Sequence, residues 1–488
     1  MNKTVKIVGV ALLAGAAVVA IRTAAFKPAG VADASGIRLA QIPTFDVNTA
    51  AAHLGSAVRF QTVSHQNAQE NKPEEWTGLQ AWLATSYPRF HAVAARETVG
   101  ERGLLYRWEG SDKAAKPIIL MAHQDVVPVM PGTEKDWTHA PFSGEIADGS
   151  VWGRGSVDDK GSLIALMESL ETLAASGFKP KRTIYLVSGH DEEFGGTGAQ
   201  AAAKTLAERG VKALFALDEG SAIIEDAPMI NAPAILIGVA EKGYATLKVD
   251  APAAGGHSSM PPIEIGTVNL AKAVIAINQN QFPAKLQGPV AAMVEVLADR
   301  KGGMIKVAVA NRWLFGGMIT RQMMAKPSSA AMLHTTIAPT MLSGSPKENV
   351  LPQTASAMIN YRIAPGDSPA DIMRRAQDAV GDLPVKLSFG RTHSGSSRVS
   401  STSSQGWKLI RAAAEADVPG AVVAPFLVVA GTDSRSMGGV ADDVYRFQPL
   451  QVKSADTKMV HGTNEHMTLD NLARMIRFYQ HLIATAAG

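Results

Sequence analysis

Acidic residues and histidines occur in short clusters that follow apolar stretches of the chain. Ser188 to Gly196 reads SGHDEEFGG, in which Asp191, Glu192 and Glu193 are adjacent. Three neighbouring carboxylates repel one another, which raises their pKa values and costs stability unless a cation lies nearby. An acidic triplet is more often an exposed turn, because acidic side chains mostly lie at the surface. The triplet alone therefore does not predict a site.

Two further clusters also follow or precede regular elements. MAHQDVV contains His123 and Asp125, whose spacing of two places both side chains on one face of an extended segment. A histidine that binds a metal ion commonly has its ring fixed by such a carboxylate, although an isolated histidine is more often structural. GRGSVDDKGS places Asp158 and Asp159 in a glycine-flanked loop before a helix, where aspartate is also a common N-cap.

Taken together, the clusters predict a metal centre without sulfur ligands. LDEG adds Asp218 and Glu219, and VHGTNEH adds His461 late in the chain. The chain has no cysteine, so nitrogen and oxygen atoms must be the ligands, a set that suits zinc, manganese or cobalt. Two divalent ions that share a bridging carboxylate would neutralise the acidic triplet, and a neighbouring carboxylate would be able to take a proton from water.

Strand-like and helical segments alternate in the region that carries most of these clusters. The segments are KPIILMAHQDVVPV, residues 161–176, RTIYLVSGHDEE, residues 198–209 and ALFALDEG. This alternation predicts an α/β fold with a mostly parallel sheet and flanking helices. Ligand sites in such sheets lie at the carboxyl ends of the strands, which is where the clusters occur.

The pattern changes after Glu241, which indicates a second domain. YATLKVDA, TTIAPTMLSG and ASAMINYRIAPG alternate at period two, and helical segments follow SMPP and begin at SPADIMRRAQDAVG. About four strands with two helices predict a smaller α+β, sandwich-like insert domain over residues 242–391. The catalytic domain then comprises residues 45–241 and 392–488.

The N-terminus has the pattern of an export segment. Basic residues flank an apolar run at residues 7–21, and positive charge before an apolar run is typical of export signals. An Ala-Asp-Ala triplet at residues 32–34 resembles a cleavage site but lies far from the run. We therefore expect residues 1–30 to form an uncleaved membrane anchor and residues 31–44 a linker. The alternative is a cleaved signal, which would leave a periplasmic or extracellular protein.

The composition is that of a globular protein and argues against nucleic-acid binding. The chain has 488 residues, 46% of them hydrophobic and 19% charged, as in ordinary globular proteins. Its formal net charge is +3 and it has no dense block of lysine and arginine, so we expect no nucleic-acid partner.

Six motifs resemble those of one peptidase family. HQDVVPV, W…PFSGEIADGSVWGRGSVDDKG, SGHDEEFGG, LDEG, GGHSSMPP and HGTNEH are similar in order and spacing to the motifs of the co-catalytic zinc peptidases. That family includes carboxypeptidase S, aminoacylase, carboxypeptidase G and succinyl-diaminopimelate desuccinylase. The resemblance covers residues 45–485 and is greatest to the carboxypeptidase S branch.

The resemblance implies a role for each acid and histidine. Glu192 would be the general base and then the acid that protonates the leaving nitrogen, and Asp125 would orient a metal-bound histidine. Asp158 would bridge two divalent ions, which we expect to be zinc. Relatives have a cis peptide after this residue, so we predict a cis Asp158–Asp159 bond. The remaining ligands implied are His123, Glu193, His461 and Asp218, with Glu219 as the alternative to Asp218.

The resemblance also implies that the insert acts as a lid or dimerisation domain and carries substrate-binding residues. His257 would stabilise the oxyanion, in relatives often across a homodimer, and Arg362 would hold the substrate carboxylate. For His257 the alternative is a structural residue before a helix that begins at Ser258 or Ser259. Asn349 is a weaker member of the same pocket, because asparagine is also common in turns.

These residues predict metal-dependent hydrolysis of an amide bond next to a free carboxylate, in small peptides or N-acyl amino acids. One alternative is an N-fatty-acyl-amino-acid amidase or synthase, which a hydrophobic acyl pocket would indicate. Another is a non-catalytic metal-binding protein, which would be expected to have lost ligands.

Overall fold

A ten-stranded sheet forms the centre of the larger part of the molecule. The computed structural model describes residues 3–488, and the side chains of residues 12–390 and 393–488. The strands of the central sheet are β1 (Ala94–Val99), β2 (Gly103–Trp108), β3 (Ile118–Met121), β6 (Ile184–Ser188), β7 (Ala213–Asp218), β8 (Ile223–Ile224), β9 (Ala234–Glu241), β16 (Val422–Val428), β17 (Ala441–Arg446) and β18 (Gln451–Val452). Their order is β1-β2-β6-β3-β7-β17-β9-β8-β18, with β16 paired to β9.

The centre of this sheet is parallel, as the sequence predicts. β6, β3, β7 and β17 are adjacent in that order and run parallel to one another. At one edge, β1 and β2 are antiparallel, and β2 pairs antiparallel with β6. β3 and β6 are buried along their whole length, and strands covered by helices on both faces have this continuous apolar pattern. The mixed α/β fold class is therefore confirmed.

Helices cover both faces of the sheet and continue into the insert. The helices are α1 (Lys3–Ala24), α2 (Val47–Arg59), α3 (Pro73–Ser86), α4 (Pro88–Val93), α5 (Lys160–Ala175), α6 (Thr197–Glu208), α7 (Gly266–Gln279), α8 (Gly288–Lys301), α9 (Gly303–Ala310), α10 (Arg312–Met324), α11 (Pro327–Leu333), α12 (Pro369–Val380), α13 (Gln405–Asp417) and α14 (Leu469–Ala487). α5 and α14 pack together in the largest core cluster, which joins the two predicted parts of the catalytic domain.

A second sheet of four strands lies between β9 and α13 in the chain. Its order is β12-β14-β10-β15, and its strands are β10 (Gly243–Pro252), β12 (Thr336–Ser343), β14 (Thr354–Ile363) and β15 (Lys386–Ser394). α7 and α12 pack on this sheet and enclose a separate core cluster. The predicted four strands and two helices of the insert are therefore present, while its predicted boundaries stay a prediction.

Four helices, α8 to α11, were not predicted in the insert. α8 packs against the central sheet rather than the four-stranded sheet, because Val290 and Leu297 share a core cluster with Ala424 and Leu427 of β16. This stretch of chain therefore returns to the larger sheet before β12 begins.

Two small sheets complete the architecture. β4 (Glu145–Ala147), β5 (Ser150–Trp152) and β19 (His466–Thr468) form one, and β11 (Gly256–His257) pairs with β13 (Val350–Leu351) in the other. The prediction of a helix starting at Ser258 or Ser259 is wrong, because α7 begins at Gly266. Prolines follow Met260, and a residue before proline avoids the helical conformation.

The N-terminal segment folds back on the protein. The predicted anchor is helical as α1, but among the described residues no helix has the length and apolar character needed to cross a membrane. The predicted linker lies against α13, where the Ala32 carbonyl accepts hydrogen bonds from Trp407 Nε1 and Arg411 Nη1, each at 2.9 Å.

Candidate functional site

Two groups of potential metal ligands share one aspartate. His123, Asp158 and Glu219 form the first group, and Asp158, Glu193 and His461 form the second, with the ligand atoms of each group within 4.8 Å of one another. His123 Nε2 lies 3.0 Å from Asp158 Oδ1, and His461 Nε2 lies 3.0 Å from Asp158 Oδ2. Each oxygen of Asp158 thus faces a different histidine, which is the arrangement needed to bridge two cations.

The strand order explains why these residues meet. β3, β6 and β7 are adjacent and parallel, and His123, Glu193 and Glu219 follow their respective carboxyl ends. Their side chains therefore converge on one edge of the sheet, as the sequence predicts. Asp158 enters from the loop before α5, and the predicted cis Asp158–Asp159 peptide is present.

Asp159 does not cap α5. It lies at the N-cap position but accepts no capping hydrogen bond from the helix backbone. Its buried carboxylate instead accepts a 2.6 Å hydrogen bond from Gln448 Nε2 and a longer one from the His123 amide. Asp159 therefore links the loop after β3, which carries His123, to the segment after β17, which carries Gln448.

Asp125 holds three parts of the site in place. Its buried carboxylate accepts backbone hydrogen bonds from Glu192 at 3.0 Å and Glu193 at 3.1 Å, and a 2.7 Å bond from the Ser64 hydroxyl. Asp125 Oδ1 also lies 3.3 Å from His123 Nδ1. Burial opposes ionisation, but the bonds from His123 and Ser64 outweigh it and lower the pKa of Asp125. An ionised Asp125 is thus well placed to orient the histidine.

Glu192 lies beside the ligands in a crowded acidic environment. Burial raises the pKa of Glu192 well above its usual value, and the nearby Asp433, Glu193 and Asp158 carboxylates raise it further. Burial and the Asp158 charge likewise raise the pKa of Glu193. Such crowding is unfavourable without a counter-charge, so the donor set fits two divalent cations held by nitrogen and oxygen.

The two acids of LDEG lie in different environments. Glu219 Oε1 is 3.9 Å from His123 Nε2 and belongs to the first ligand group. Asp218 belongs to neither group, and its Oδ2 accepts a 2.7 Å hydrogen bond from the Ser434 amide. Burial raises the pKa of Asp218 to about 6. The geometry of the described residues thus favours Glu219 beside His123, where the sequence prediction placed Asp218.

A buried ion pair supports the loop that carries Asp158, and sequence reasoning missed it. Glu465 Oε1 accepts backbone hydrogen bonds from Gly155, Val157 and Asp158 at 2.9–3.1 Å, and Glu465 Oε2 pairs with Arg154 Nη1 at 2.6 Å. Arg154 Nη2 also donates to the His461 and Gly462 carbonyls. Glu465 lies in the HGTNEH motif, but its role depends on contacts across the fold.

The insert residues predicted to bind substrate lie on two different sheets, with His257 and Asn349 close together, because the Ser258 amide donates to the Asn349 carbonyl at 3.1 Å. Arg362 lies on β14 with its guanidinium 5.0 Å from the centre of the Tyr244 ring. His257 is exposed on β11, and its Nδ1 lies 2.8 Å from the Ser259 hydroxyl. Asn349 precedes β13, and its buried Oδ1 has no hydrogen-bond partner among the described residues. None of the three is among the two ligand groups.

A second arginine, Arg435, lies near Arg362, and we call these two residues the basic cluster. Burial lowers the pKa of Arg362, the Arg435 charge lowers it further, and the charges of Glu192 and Glu241 oppose this shift. Arg435 is held by Glu241 Oε1 at 2.9 Å and by Ser394 Oγ at 3.0 Å. Arg435, in the segment AGTDSRS, was not predicted to take part in the site.

Comparison with known sequences identifies relatives of the whole globular part. The model of peptidase family M20/M25/M40 matches residues 119–485. A probable carboxypeptidase S-like 2 of Dictyostelium discoideum is 35% identical over 439 residues, which cover 89% of this chain and 84% of that protein. The human N-fatty-acyl-amino acid synthase/hydrolase PM20D1 is 34% identical over 442 residues, which cover 89% of this chain and 87% of that protein.

A solved structure has the same fold. The metallo-carboxypeptidase Sso-CP2 of Sulfolobus solfataricus, of the M20 family, superimposes with a TM-score of 0.66 at 17% identity. The match covers 90% of this chain and 99% of that one. At this identity the likeness shows the shared architecture of central sheet and insert.

Proposed function

This chain belongs to peptidase family M20/M25/M40 and is a metal-dependent hydrolase, and from this premise we propose its substrate and its residue roles. The substrates are small peptides or N-acyl amino acids, cleaved at the amide bond next to a free carboxylate. The observation that carries the proposal is Asp158, whose two oxygens face His123 and His461 at 3.0 Å each, with Glu192 beside them.

The proposed ligands are those that the geometry groups around Asp158. His123 and Glu219 would hold one ion, and Glu193 and His461 would hold the other. Asp158 would bind both ions. Zinc is the proposed metal, because the donors are nitrogen and oxygen, while cobalt or manganese would also suit them. When bound, two divalent ions polarise the amide carbonyl and lower the pKa of a water molecule.

Glu192 is the proposed general base. Its carboxylate takes a proton from the attacking water and later gives it to the leaving nitrogen. Hydrogen bonds from the Glu192 and Glu193 amides to Asp125 support this role, because they fix the base and a metal ligand in one short segment. Asp125 itself is proposed to orient His123.

The basic cluster is proposed to bind the substrate carboxylate. Arg362 can pair with a carboxylate through two parallel hydrogen bonds, and Arg435 adds positive charge nearby. His257 is the proposed oxyanion donor, acting from the partner subunit of a homodimer, with Asn349 in the same pocket. The exposure of His257 is compatible with a contact outside its own subunit.

A second candidate is hydrolysis or synthesis of N-fatty-acyl amino acids. The human relative of that name is 34% identical over 89% of this chain, and the same carboxylate contacts would serve this substrate. We propose export of the globular part as its location, on the basis of the charged and apolar N-terminus.

The test is turnover by the zinc-reconstituted protein on matched substrates. Dipeptides, short N-acyl amino acids and long-chain N-acyl amino acids are each supplied with a free or an amidated carboxyl group. We expect hydrolysis of the free acids and little of the amides. Equal rates on both forms would contradict carboxylate recognition, and a preference for long acyl chains would select the second candidate.

A further inference from the structure

Helix α10 exposes several apolar side chains to solvent. It contains no buried residue, yet Trp313, Leu314 and Met318 are 59%, 54% and 53% exposed. On the preceding helix α9, Met304 is 79% exposed. Single exposed apolar residues are common, but a group of them on neighbouring helices marks an interaction surface.

Helix α1 extends this apolar surface. Asn311, at the start of α10, is fully buried and donates to Val19 O at 3.4 Å and Thr23 Oγ1 at 3.1 Å. An open groove of about 720 Å³ lies between α1 and the α9–α10 pair, lined almost wholly by apolar side chains. On α1, Leu12 and Leu13 are 70% and 73% exposed. The three helices thus form one face, which we call the helical face.

The segment that carries α9 and α10 is basic. Residues 300–333 contain six lysines and arginines and no acidic residue, although the whole chain has a net charge of only +3. Lys306 and Arg312 pair with acids of α8. Of the other four, Lys301, Arg321 and Lys326 are exposed, and no carboxylate among the described side chains lies within 4.0 Å of them.

Residues 3–32 continue the pattern in sequence, with four basic residues and no acidic one. The positive charge of the helical face is therefore not balanced by acids within its own segments. A partner that fits this face must offer both an apolar layer and negative charge.

We propose that the helical face binds the surface of an anionic phospholipid bilayer. Tryptophan, leucine and methionine would enter the boundary between headgroups and acyl chains, and the basic residues would meet the lipid phosphates. The helices would lie along the interface without crossing the bilayer. The face would place the enzyme at a membrane whichever substrate class it hydrolyses.

Charge argues against a second copy as the partner. In a two-fold dimer the same patch meets itself, so the basic residues on and beside this face that pair with no acid among the described side chains, such as Lys301, Arg321 and Lys326, would meet their own counterparts. Such like-charge contact is repulsive. An anionic bilayer instead supplies the opposite charge.

The direct test is co-sedimentation of the purified full-length chain with large unilamellar vesicles. We expect strong binding to phosphatidylcholine vesicles that contain phosphatidylglycerol, and weak binding to phosphatidylcholine alone. Raising the salt concentration should weaken binding, because the charged part of the attraction is screened. Absence of binding to the anionic vesicles would overturn the proposal.

Paired variants locate the binding surface. Leu314→Glu with Met318→Glu should lower the vesicle partition coefficient at least roughly tenfold, because two charges enter the apolar layer. The control, Val93→Glu with Ile146→Glu, changes residues of similar exposure (47% and 48%) elsewhere and should leave binding unchanged. Wild-type binding by the Leu314/Met318 variant would refute the assignment.

A second pair tests the charge contribution. Arg321→Gln with Lys326→Gln should weaken binding to anionic vesicles, whereas Lys113→Gln with Lys204→Gln, both exposed outside the face, should not. Equal effects of both pairs would show only a dependence on net charge and would refute a specific surface.

Two further measurements separate this proposal from its rivals. Light scattering without lipid reports the oligomeric state, and a Leu314/Met318 variant that dissociates a wild-type dimer would identify a subunit interface and overturn the proposal. Hydrolysis of a soluble dipeptide should be the same in all four variants. A wild-type protein that binds vesicles but cleaves no peptide or N-acyl amino acid would contradict the proposed function alone.

Discussion

Replacing Glu465 by glutamine tests whether the site depends on the ion pair beneath it. The glutamine has nearly the same shape, but its neutral amide cannot satisfy the Arg154 guanidinium, which is 3% exposed. Whichever oxygen of Glu465 the NH₂ group replaces, it would face N–H donors, and an NH₂ group cannot accept their hydrogen bonds. Arg154 would therefore be left as a buried, incompletely paired charge.

The expected loss of stability is large. Removing one partner of a buried ion pair costs roughly 3–5 kcal/mol, against roughly 5–15 kcal/mol for the whole unfolding free energy of a typical protein. Three backbone hydrogen bonds to Glu465 Oε1 would weaken in addition, because bonds to an ionised acceptor are roughly twice as strong as neutral ones. We therefore expect Glu465→Gln to lose at least about 3 kcal/mol.

Urea unfolding of the metal-free protein measures this change. The control is Glu97→Gln, which removes an equally short pair with Arg209 (2.5 and 2.7 Å) whose partners are 39% and 43% exposed. An exposed pair contributes only about 0–1 kcal/mol. Equal losses in the two variants would refute the reasoning from burial.

Metal affinity gives a second measurement on the same variant. Glu465 binds the Asp158 amide, and outer partners of metal ligands typically contribute roughly 10–100-fold to affinity. We expect the zinc dissociation constant to rise by a factor within that range. Competition with a chelator measures it. An unchanged constant in a folded Glu465→Gln protein would show that the loop keeps its position without the ion pair.

The remaining predictions concern the proposed catalytic and binding residues. Glu192→Gln should lower kcat by at least about a hundredfold with unchanged metal content by elemental analysis, because general-base catalysis contributes about that much; a near-normal rate would exclude it as the base. Glu219→Gln should lose metal and Asp218→Asn should retain it, and the reverse result would return Asp218 to the ligand set. Arg362→Lys should lower kcat/KM for free acids, because lysine cannot form the paired contact, with little change for the poor amidated substrates. His257→Ala should lower kcat roughly a hundredfold with metal content unchanged, and mixing it with Glu192→Gln subunits should restore some activity if the histidine acts across a dimer.

The parts of the site that follow strand ends could be predicted from sequence. β3, β6 and β7 are short apolar runs, so the positions of His123, Glu193 and the LDEG acids follow from the order of the strands. The choice between Asp218 and Glu219 did not follow, because adjacent residues at the end of a strand point in different directions. It depends on the Ser434 amide, which approaches Asp218 from a loop far along the chain.

Other features depend on tertiary contacts that no local pattern contains. Glu465 and Arg154 are 311 residues apart, and a single acid or arginine in a motif does not indicate such a partner. Helices α8 to α11 were missed, although the buried residues of α8 recur at the spacing of one helical face; α10 has none buried and so gives no such signal. The start of α7 was misplaced because serine after a histidine resembles a cap, whereas β11 pairs with β13 there.

The long reach of the Arg154–Glu465 pair has a consequence for protein synthesis. A chain emerging from the ribosome presents β3, β6 and β7 long before residues 461–465, and domains form as their last segments become available. The half of the site around His123 can assemble first, but the Asp158 loop lacks Glu465 and the second histidine until residues 461–465 appear. A nascent chain that stops before these residues therefore has no complete metal centre.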